Sequence, residues 1–191
     1  MNLQVKICGI TRREDAECAL ACGADYLGFV FAPGSPRRID AATLAELTAG
    51  LPGRKVGVFV DADLAFIREM TVLGGLDIVQ LHGAESPDFA RSIDFAEVWK
   101  ATYDPDFPAA KLVCDAPRGG SGQFGDHRKA AELARKRPVM LAGGITPENV
   151  TELVALVRPY GIDLAGGVEL APGIKDHRKL NQLFNALKGI A

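Results

Sequence analysis

The chain has 191 residues, of which 48% are hydrophobic and 24% charged, with a formal net charge of -2. That balance fits a folded domain with a sizeable core and excludes a disordered or collagen-like chain. Without a run of five or six like charges there is no basic tail for nucleic acid, so the expected partner is a small molecule.

No stretch reaches about 18 apolar residues, and the N-terminus lacks a charged segment followed by an apolar run. Neither membrane spanning nor secretion is therefore expected, and the compartment expected is the reducing cytoplasm. Four cysteines stand at positions 8, 18, 22 and 114. Cys18 and Cys22 are one helical turn apart and lack the paired CxxC spacing of a zinc site, so they read as core residues with free thiols. No metal is expected.

Val5-Lys6-Ile7-Cys8 is an apolar strand ending on a thiol, followed at once by Gly9-Ile10 and Thr11-Arg12-Arg13-Glu14. The last four residues read as a capping box, with the Thr11 hydroxyl capping a helix and Glu14 reaching back to the Thr11 amide. The helix runs from Glu14 to Cys22 and stops at Gly23. Asp25 to Phe31 is a nearly continuous apolar run, as in a strand covered on both faces. A turn-rich loop with Arg37 and Arg38 follows, then Asp40 caps a helix to about Ala49.

Arg54 to Val60 is a third strand, with a helix from Asp63 to about Thr71. Asp77 to Leu81 is a fourth, ending in His82-Gly83, and Ser86-Pro87 opens its helix. Val98 to Ala101 is a short fifth strand. The stretch from Tyr103 to Ala110 carries two prolines and cannot hold a full helix, so the fifth helix is expected to be reduced or missing. Leu112 to Asp115 is a sixth strand, followed by Gly119-Gly120-Ser121-Gly122 and a helix from about Asp126 to Lys136. Val139 to Ala142 leads through Gly143-Gly144 into Thr146-Pro147-Glu148-Asn149, read as a capped helix start with proline first. Ile162 to Leu164 precedes Gly166-Gly167, and the last helix runs from Asp176 to about Leu187.

Eight strands, starting near residues 3, 25, 54, 77, 97, 111, 138 and 161, alternate with helices. They predict an α/β fold, a (β/α)8 TIM barrel forming one domain over residues 1–191. An open doubly wound sheet shares the alternation, but eight units suit the closed barrel better.

In such a barrel the chemistry collects at the carboxyl ends of the strands. That rim carries Cys8, Arg37 or Arg38, His82 and Asp115, then the glycine pairs 143–144 and 166–167. Two adjacent glycine-rich loops, each feeding a helix start, suit a phosphate held by backbone amides. A thiol of reference pKa about 8.5 becomes a base where cations or dipoles lower it, and a carboxyl becomes a general acid where its site raises it. Cys8 and Asp115 thus suit proton removal at carbon and donation to a nearby oxygen. An arginine in the second loop offers a planar fork for a carboxylate, and His82 reads as a polar residue at the barrel top.

These residues resemble the phosphoribosylanthranilate isomerase family along the whole chain. The resemblance rests on Lys6-Ile7-Cys8-Gly9-Ile10-Thr11, Gly28 to Phe31 leading to Ser35-Pro36-Arg37, Gly57-Val58-Phe59-Val60 and Gln80-Leu81-His82-Gly83. Gly119 to Gly122, Gly143-Gly144 with Pro147 to Val150, and Gly167-Val168-Glu169 before Pro172-Gly173 complete it.

The resemblance implies that Cys8 is the general base and Asp115 the general acid of an Amadori rearrangement in tryptophan biosynthesis. It also implies that Arg37 holds the anthranilate carboxylate, that Asp163 contacts a sugar hydroxyl, and that His82 adds to the substrate site. The amides around Gly143, Gly144, Gly166 and Gly167 would hold the phosphate. No metal or organic cofactor is implied, and the protein is expected as a monomer or homodimer.

The chain departs from the family pattern in three places, one of them the shortened fifth helix, which leaves a flank of the barrel thin. Ala165-Gly166 replaces a usual pair of serines, and Gly125, Asp126 and His127 stand where phenylalanine, aspartate and tryptophan are usual. Competing readings are a phosphosugar aldolase or synthase with a Schiff base on Lys6 or Lys100, and a paralogue that binds a phosphorylated metabolite without turnover.

Overall fold

The computed structural model describes residues 3–115 and 126–189. Eight strands close in chain order into one parallel barrel: β1 (Gln4–Cys8), β2 (Tyr26–Val30), β3 (Arg54–Phe59), β4 (Ile78–Leu81), β5 (Glu97–Ala101), β6 (Lys111–Cys114), β7 (Val139–Leu141) and β8 (Gly161–Leu164). β1 pairs with both β2 and β8, which closes the ring and rules out the open sheet. Around it lie α1 (Arg13–Cys22), α2 (Ala41–Thr48), α3 (Leu64–Gly74), α4 (Pro87–Arg91), α5 (His127–Ala134), α6 (Val150–Val157) and α7 (His177–Leu187). No helix among the described residues is long and apolar enough to cross a membrane.

Strand alternation sorts side chains into two layers. Val5, Ile7, Leu27 and Phe29 face outward and pack under the helices. Tyr26, Val56, Ile78, Trp99, Val113 and Met140 fill the barrel interior. Above that plug Cys8, Val30 and Val58 form a small apolar ring with Ala32 and Ala165. This ring is the floor of the open end.

The fifth helix is absent, as its prolines require. Its place is taken by a turn-rich loop in which Phe107 is buried, and the Arg137 guanidinium donates to the carbonyls of Pro105, Phe107 and Ala109. One side chain thus satisfies backbone acceptors that a helix would have satisfied internally. The preceding α4 is also short, five residues behind its Ser86 cap. Asp40, Asp63, Asp126 and Asp176 cap α2, α3, α5 and α7 through their carboxylates.

Three expectations are corrected. The Thr11 capping box does not form: the Thr11 hydroxyl donates to the Gly173 carbonyl at 2.5 Å, Arg12 is the cap residue of α1, and Glu14 pairs with Arg12. The chain segment at Gly173, remote in sequence, competes successfully for the hydroxyl. The helix after β7 starts at Val150 and not at Pro147. There the Asn149 side chain accepts the Thr146 amide at 2.8 Å and donates to the Gly144 carbonyl at 2.9 Å, closing a turn ahead of the helix. Finally, Cys18 and Cys22 are partly exposed at the edge of the core, although both are free thiols.

After β8 the chain makes a 3-10 turn over Gly166–Val168 and a hairpin of β9 (Glu169–Ala171) and β10 (Ile174–Lys175), which sequence periodicity did not reveal. The Gly119-Gly120-Ser121-Gly122 loop and Gly125 lie outside the described residues.

Candidate active site

A cavity of about 480 Å³ opens at the carboxyl ends of the strands. Cys8, Arg37, His82, Asp115 and Asp163 all line it, as do both glycine pairs, 143–144 and 166–167. Every site residue expected from the sequence therefore meets in one place. Among the described residues no group of three or more His, Cys, Asp or Glu side chains converges as metal ligands would.

Cys8 ends β1 and points inward. On the neighbouring strand Gly28 makes room for it: a Cβ there would stand 2.7 Å from Cys8 Sγ and 3.1 Å from Lys6 Cε. Lys6, fully buried on the same inward face of β1, donates to Asp163 Oδ2 on β8 at 2.8 Å. Burial alone would lower the Lys6 pKa, but the Asp163 carboxylate and Cys8 outweigh it, so the ammonium is held above its ordinary value. Burial pushes the Cys8 thiol up; Lys6 pulls it down and Asp163 pushes it up again. The neighbouring cation does favour the thiolate, yet burial wins and the resting group is a thiol.

Asp115 follows β6 directly, and its Oδ2 stands 3.5 Å from His82 Nε2. The other His82 nitrogen, Nδ1, faces the Gln80 Nε2 amide at 3.2 Å. With the amide as donor, the ring proton lies on Nε2, toward Asp115. Gln80 Oε1 and Asp163 Oδ1 are both buried and find no partner among the described residues. Buried acceptors left open beside a cavity suit the hydroxyl groups of a bound ligand.

The two adjacent arginines separate cleanly. Arg38 is exposed, whereas Arg37 lines the cavity and donates through Nε and Nη2 to the Glu169 carboxylate at 2.9 and 2.7 Å. Behind Glu169, the buried Lys175 ammonium donates to Oε1 at 2.7 Å and to the Cys8 carbonyl at 2.6 Å. Burial would raise the Glu169 carboxyl, but Arg37 and Lys175 outweigh it and hold it below its ordinary value.

After β7, Gly143 and Gly144 take φ of 84° and 65°, a left-handed conformation that side chains rarely adopt. A Cβ at Gly167 would overlap the Ile145 carbonyl oxygen, so the loops after β7 and β8 touch backbone to backbone. Such bare, glycine-lined backbone can approach a phosphate closely.

Neither lysine of the Schiff-base reading lines the cavity. Lys6 is committed to Asp163, and Lys100 Nζ donates to the Gly83 carbonyl at 2.5 Å and to Glu85 at 2.7 Å. Sequence reasoning gave no role to Gln80, Glu169 or Lys175. Lys6 carried a usable signal, a charge inside an otherwise apolar strand that is buried on both faces.

Residues 5–186 match the family model for N-(5'-phosphoribosyl)anthranilate (PRA) isomerase. The chain belongs to this family. The PRA isomerase of Chromohalobacter salexigens is 46% identical over 200 residues, covering 95% of this chain and 92% of its own. A crystal structure of the family member from Thermus thermophilus superposes with a TM-score of 0.94 at 43% identity, covering 99% of this chain and 100% of that one. Another PRA isomerase structure is a complex with reduced 1-(o-carboxyphenylamino)-1-deoxyribulose 5-phosphate. It superposes with a TM-score of 0.89 at 32% identity, covering 98% of this chain and 99% of that one.

Proposed function

We propose that this PRA isomerase converts N-(5'-phosphoribosyl)anthranilate into 1-(2-carboxyphenylamino)-1-deoxyribulose 5-phosphate, in tryptophan biosynthesis, with Cys8 and Asp115 as its acid-base pair. The observation that carries the assignment of roles is the shared cavity. A thiol at the end of β1 and a carboxyl after β6 face the same space, which the glycine pairs of the seventh and eighth loops and Arg37 also line.

The substrate spans these groups. Its phosphate meets the backbone of Gly143, Gly144, Gly166 and Gly167, and its anthranilate carboxylate meets Arg37. The ribose hydroxyls meet the open acceptors Asp163 Oδ1 and Gln80 Oε1, next to His82. Asp115 gives its proton to the ribose ring oxygen. The C1–O bond then breaks, and the anilino nitrogen lone pair closes a C1=N iminium. Cys8, as thiolate, takes the proton from C2, and the C–H electrons form C1=C2 while the iminium electrons return to nitrogen. The enolamine gains a proton at C1 and loses the one on the C2 hydroxyl, giving the ketone.

Cys8 must first give up its own proton, which passes to solvent through the open cavity. Lys6 favours that, and so does an iminium cation generated inside the cavity. Each proton transfer by a placed side chain is worth roughly 10²–10⁴-fold. The substrate nitrogen is the electron sink, so the scheme calls on no further group. We read residues 1–191 as one barrel domain in the cytoplasm, a compartment that suits the free thiols at 8, 18, 22 and 114.

The test is direct. Purified protein added to freshly made N-(5'-phosphoribosyl)anthranilate should abolish its anthranilate-type fluorescence in a catalytic, enzyme-concentration-dependent way. Saturable binding without loss of fluorescence would favour the non-catalytic paralogue.

A further inference from the structure

The Arg37 guanidinium does not meet the cavity as a lone cation. Its Nε and Nη2 edge is closed by the two Glu169 oxygens, so this ion pair by itself carries no net charge toward an incoming carboxylate. Glu169 is 7% exposed and cannot rely on water to screen it. Its compensation comes from behind. Lys175 Nζ, with a side chain 0% exposed, donates to Glu169 Oε1 at 2.7 Å, to the Cys8 carbonyl at 2.6 Å and to the Ala165 carbonyl at 3.4 Å. The Gly173 amide donates to the same Oε1 at 3.2 Å.

The neighbouring charges are paired off separately. Lys6 is matched by Asp163, and Asp15 receives the Lys175 backbone amide and the His177 ring. Burial pulls the Lys175 ammonium below its ordinary value and Glu169 opposes it. Its Nζ faces three oxygen acceptors, one for each ammonium hydrogen, so the chain Arg37–Glu169–Lys175 holds two cations and one anion.

We propose that Lys175 is a positioning residue for the substrate carboxylate: by neutralising Glu169 from behind, it leaves one net positive charge, which Arg37 delivers to the cavity. The proposal rests on the reading of Arg37 as the carboxylate holder. Glu169 fixes the plane of the guanidinium through two parallel bonds, and Lys175 cancels the repulsion that Glu169 would otherwise exert on a second carboxylate. Because Lys175 also grips the Cys8 carbonyl, the same ammonium ties the carboxylate-binding arm to the strand that carries the thiol. At the separations of this chain and an effective dielectric of about 20, one unit of charge corresponds to roughly a ten- to hundred-fold change in anion affinity.

The experiment compares the affinity of full-length protein for reduced 1-(o-carboxyphenylamino)-1-deoxyribulose 5-phosphate with that for its carboxamide counterpart. The ratio of the two affinities isolates recognition of the carboxylate charge. In Lys175→Met the preference for carboxylate should fall about ten- to hundred-fold, and in Glu169→Gln it should rise. The double variant Glu169→Gln/Lys175→Met restores one net positive charge and should return close to the wild-type preference. A purely structural Lys175 gives a different pattern, with the double variant at or below Lys175→Met. That pattern, or an unchanged preference in Lys175→Met, overturns the proposal.

If Lys175→Met does not fold, Glu169→Gln and the double variant decide the matter by the same criterion. Arg37→Gln guards the reading underneath: an unchanged preference there removes Arg37 from carboxylate binding. Loss in Arg37→Gln alone removes only Lys175.

Discussion

Lys6 Nζ lies 2.8 Å from Asp163 Oδ2 across the β1–β8 pairing, beneath the Cys8 thiol on the same inward face of β1. The pair acts on the thiol in opposite directions, with Lys6 favouring thiolate and Asp163 favouring thiol, while burial favours thiol more strongly than either acts. Alkylation of Cys8 by iodoacetamide in the substrate-free protein should therefore follow a midpoint above the ordinary 9.0. Asp163→Asn removes a group that raises the midpoint and should lower it. Peptide mapping of the alkylated protein across pH reads this, and a wild-type midpoint below 9.0 or an upward shift in Asp163→Asn is incompatible with the geometry.

The same pair matters for stability. Lys6→Met leaves the Asp163 carboxylate buried without its partner, at a cost of about 3–5 kcal/mol. Replacing both with apolar residues, as in Lys6→Met/Asp163→Leu, should recover most of that loss. Urea unfolding of the two variants provides the comparison, and equal losses would mean that shape, and not charge pairing, dominates at this position.

At the other end of the barrel Glu97 accepts from Lys111 Nζ at 2.5 Å, Trp99 Nε1 at 2.6 Å and Arg54 Nη2 at 3.0 Å. Burial would raise this carboxyl, but the three donors outweigh it and lower it from 4.5 to about 2. A carboxyl depressed by folding contributes stability that is complete above its unfolded value and is lost as pH falls through the folded one. Acid unfolding should thus draw on Glu97 between about pH 4.5 and pH 2. Glu97→Gln should flatten the stability curve in that window while leaving its slope near pH 7 unchanged. An unaltered acid limb would show that the donors do not hold the folded carboxylate.

Gly166 and Gly167 differ sharply in what they tolerate. A Cβ at Gly166 meets only Arg37 Nη2 at 3.5 Å and Glu169 Oε2 at 3.9 Å, whereas one at Gly167 overlaps the Ile145 carbonyl. Gly166→Ser, which supplies one of the hydroxyls usual in the family, should fold normally and lower KM. Gly167→Ala must push the two phosphate loops apart and should lower stability by about 1–3 kcal/mol and raise KM. Thermal unfolding and steady-state kinetics distinguish the two, and a neutral Gly167→Ala would refute the backbone contact.

The barrel was legible because its strands are buried on both faces and read as continuous apolar runs between helix caps; Tyr26 to Val30 is an example. Cys8 and Asp115 were legible by position, each where a strand ends and a loop begins. What stayed hidden depends on distant partners. The Thr11 hydroxyl is a good cap by local rules, but it goes to Gly173, 162 positions away. Asn149 resembles an ordinary first-turn residue, yet its side chain closes the turn that delays α6. Arg37 reads as an unpaired carboxylate clamp until Glu169, 132 positions on, is seen to share it. Lys175 sits in a two-residue strand too short to announce itself by periodicity.

The decisive measurement separates chemistry from binding at the acid-base pair: single-turnover loss of N-(5'-phosphoribosyl)anthranilate fluorescence in Cys8→Ala and Asp115→Ala. Alongside it runs the affinity of each variant for reduced 1-(o-carboxyphenylamino)-1-deoxyribulose 5-phosphate. Proton transfer by these two groups predicts turnover reduced by about 10²–10⁴-fold in each variant, with affinity for the analogue within about threefold of wild type. Turnover near the wild-type rate in either variant, or a loss that lies wholly in binding, would remove that residue from the chemistry.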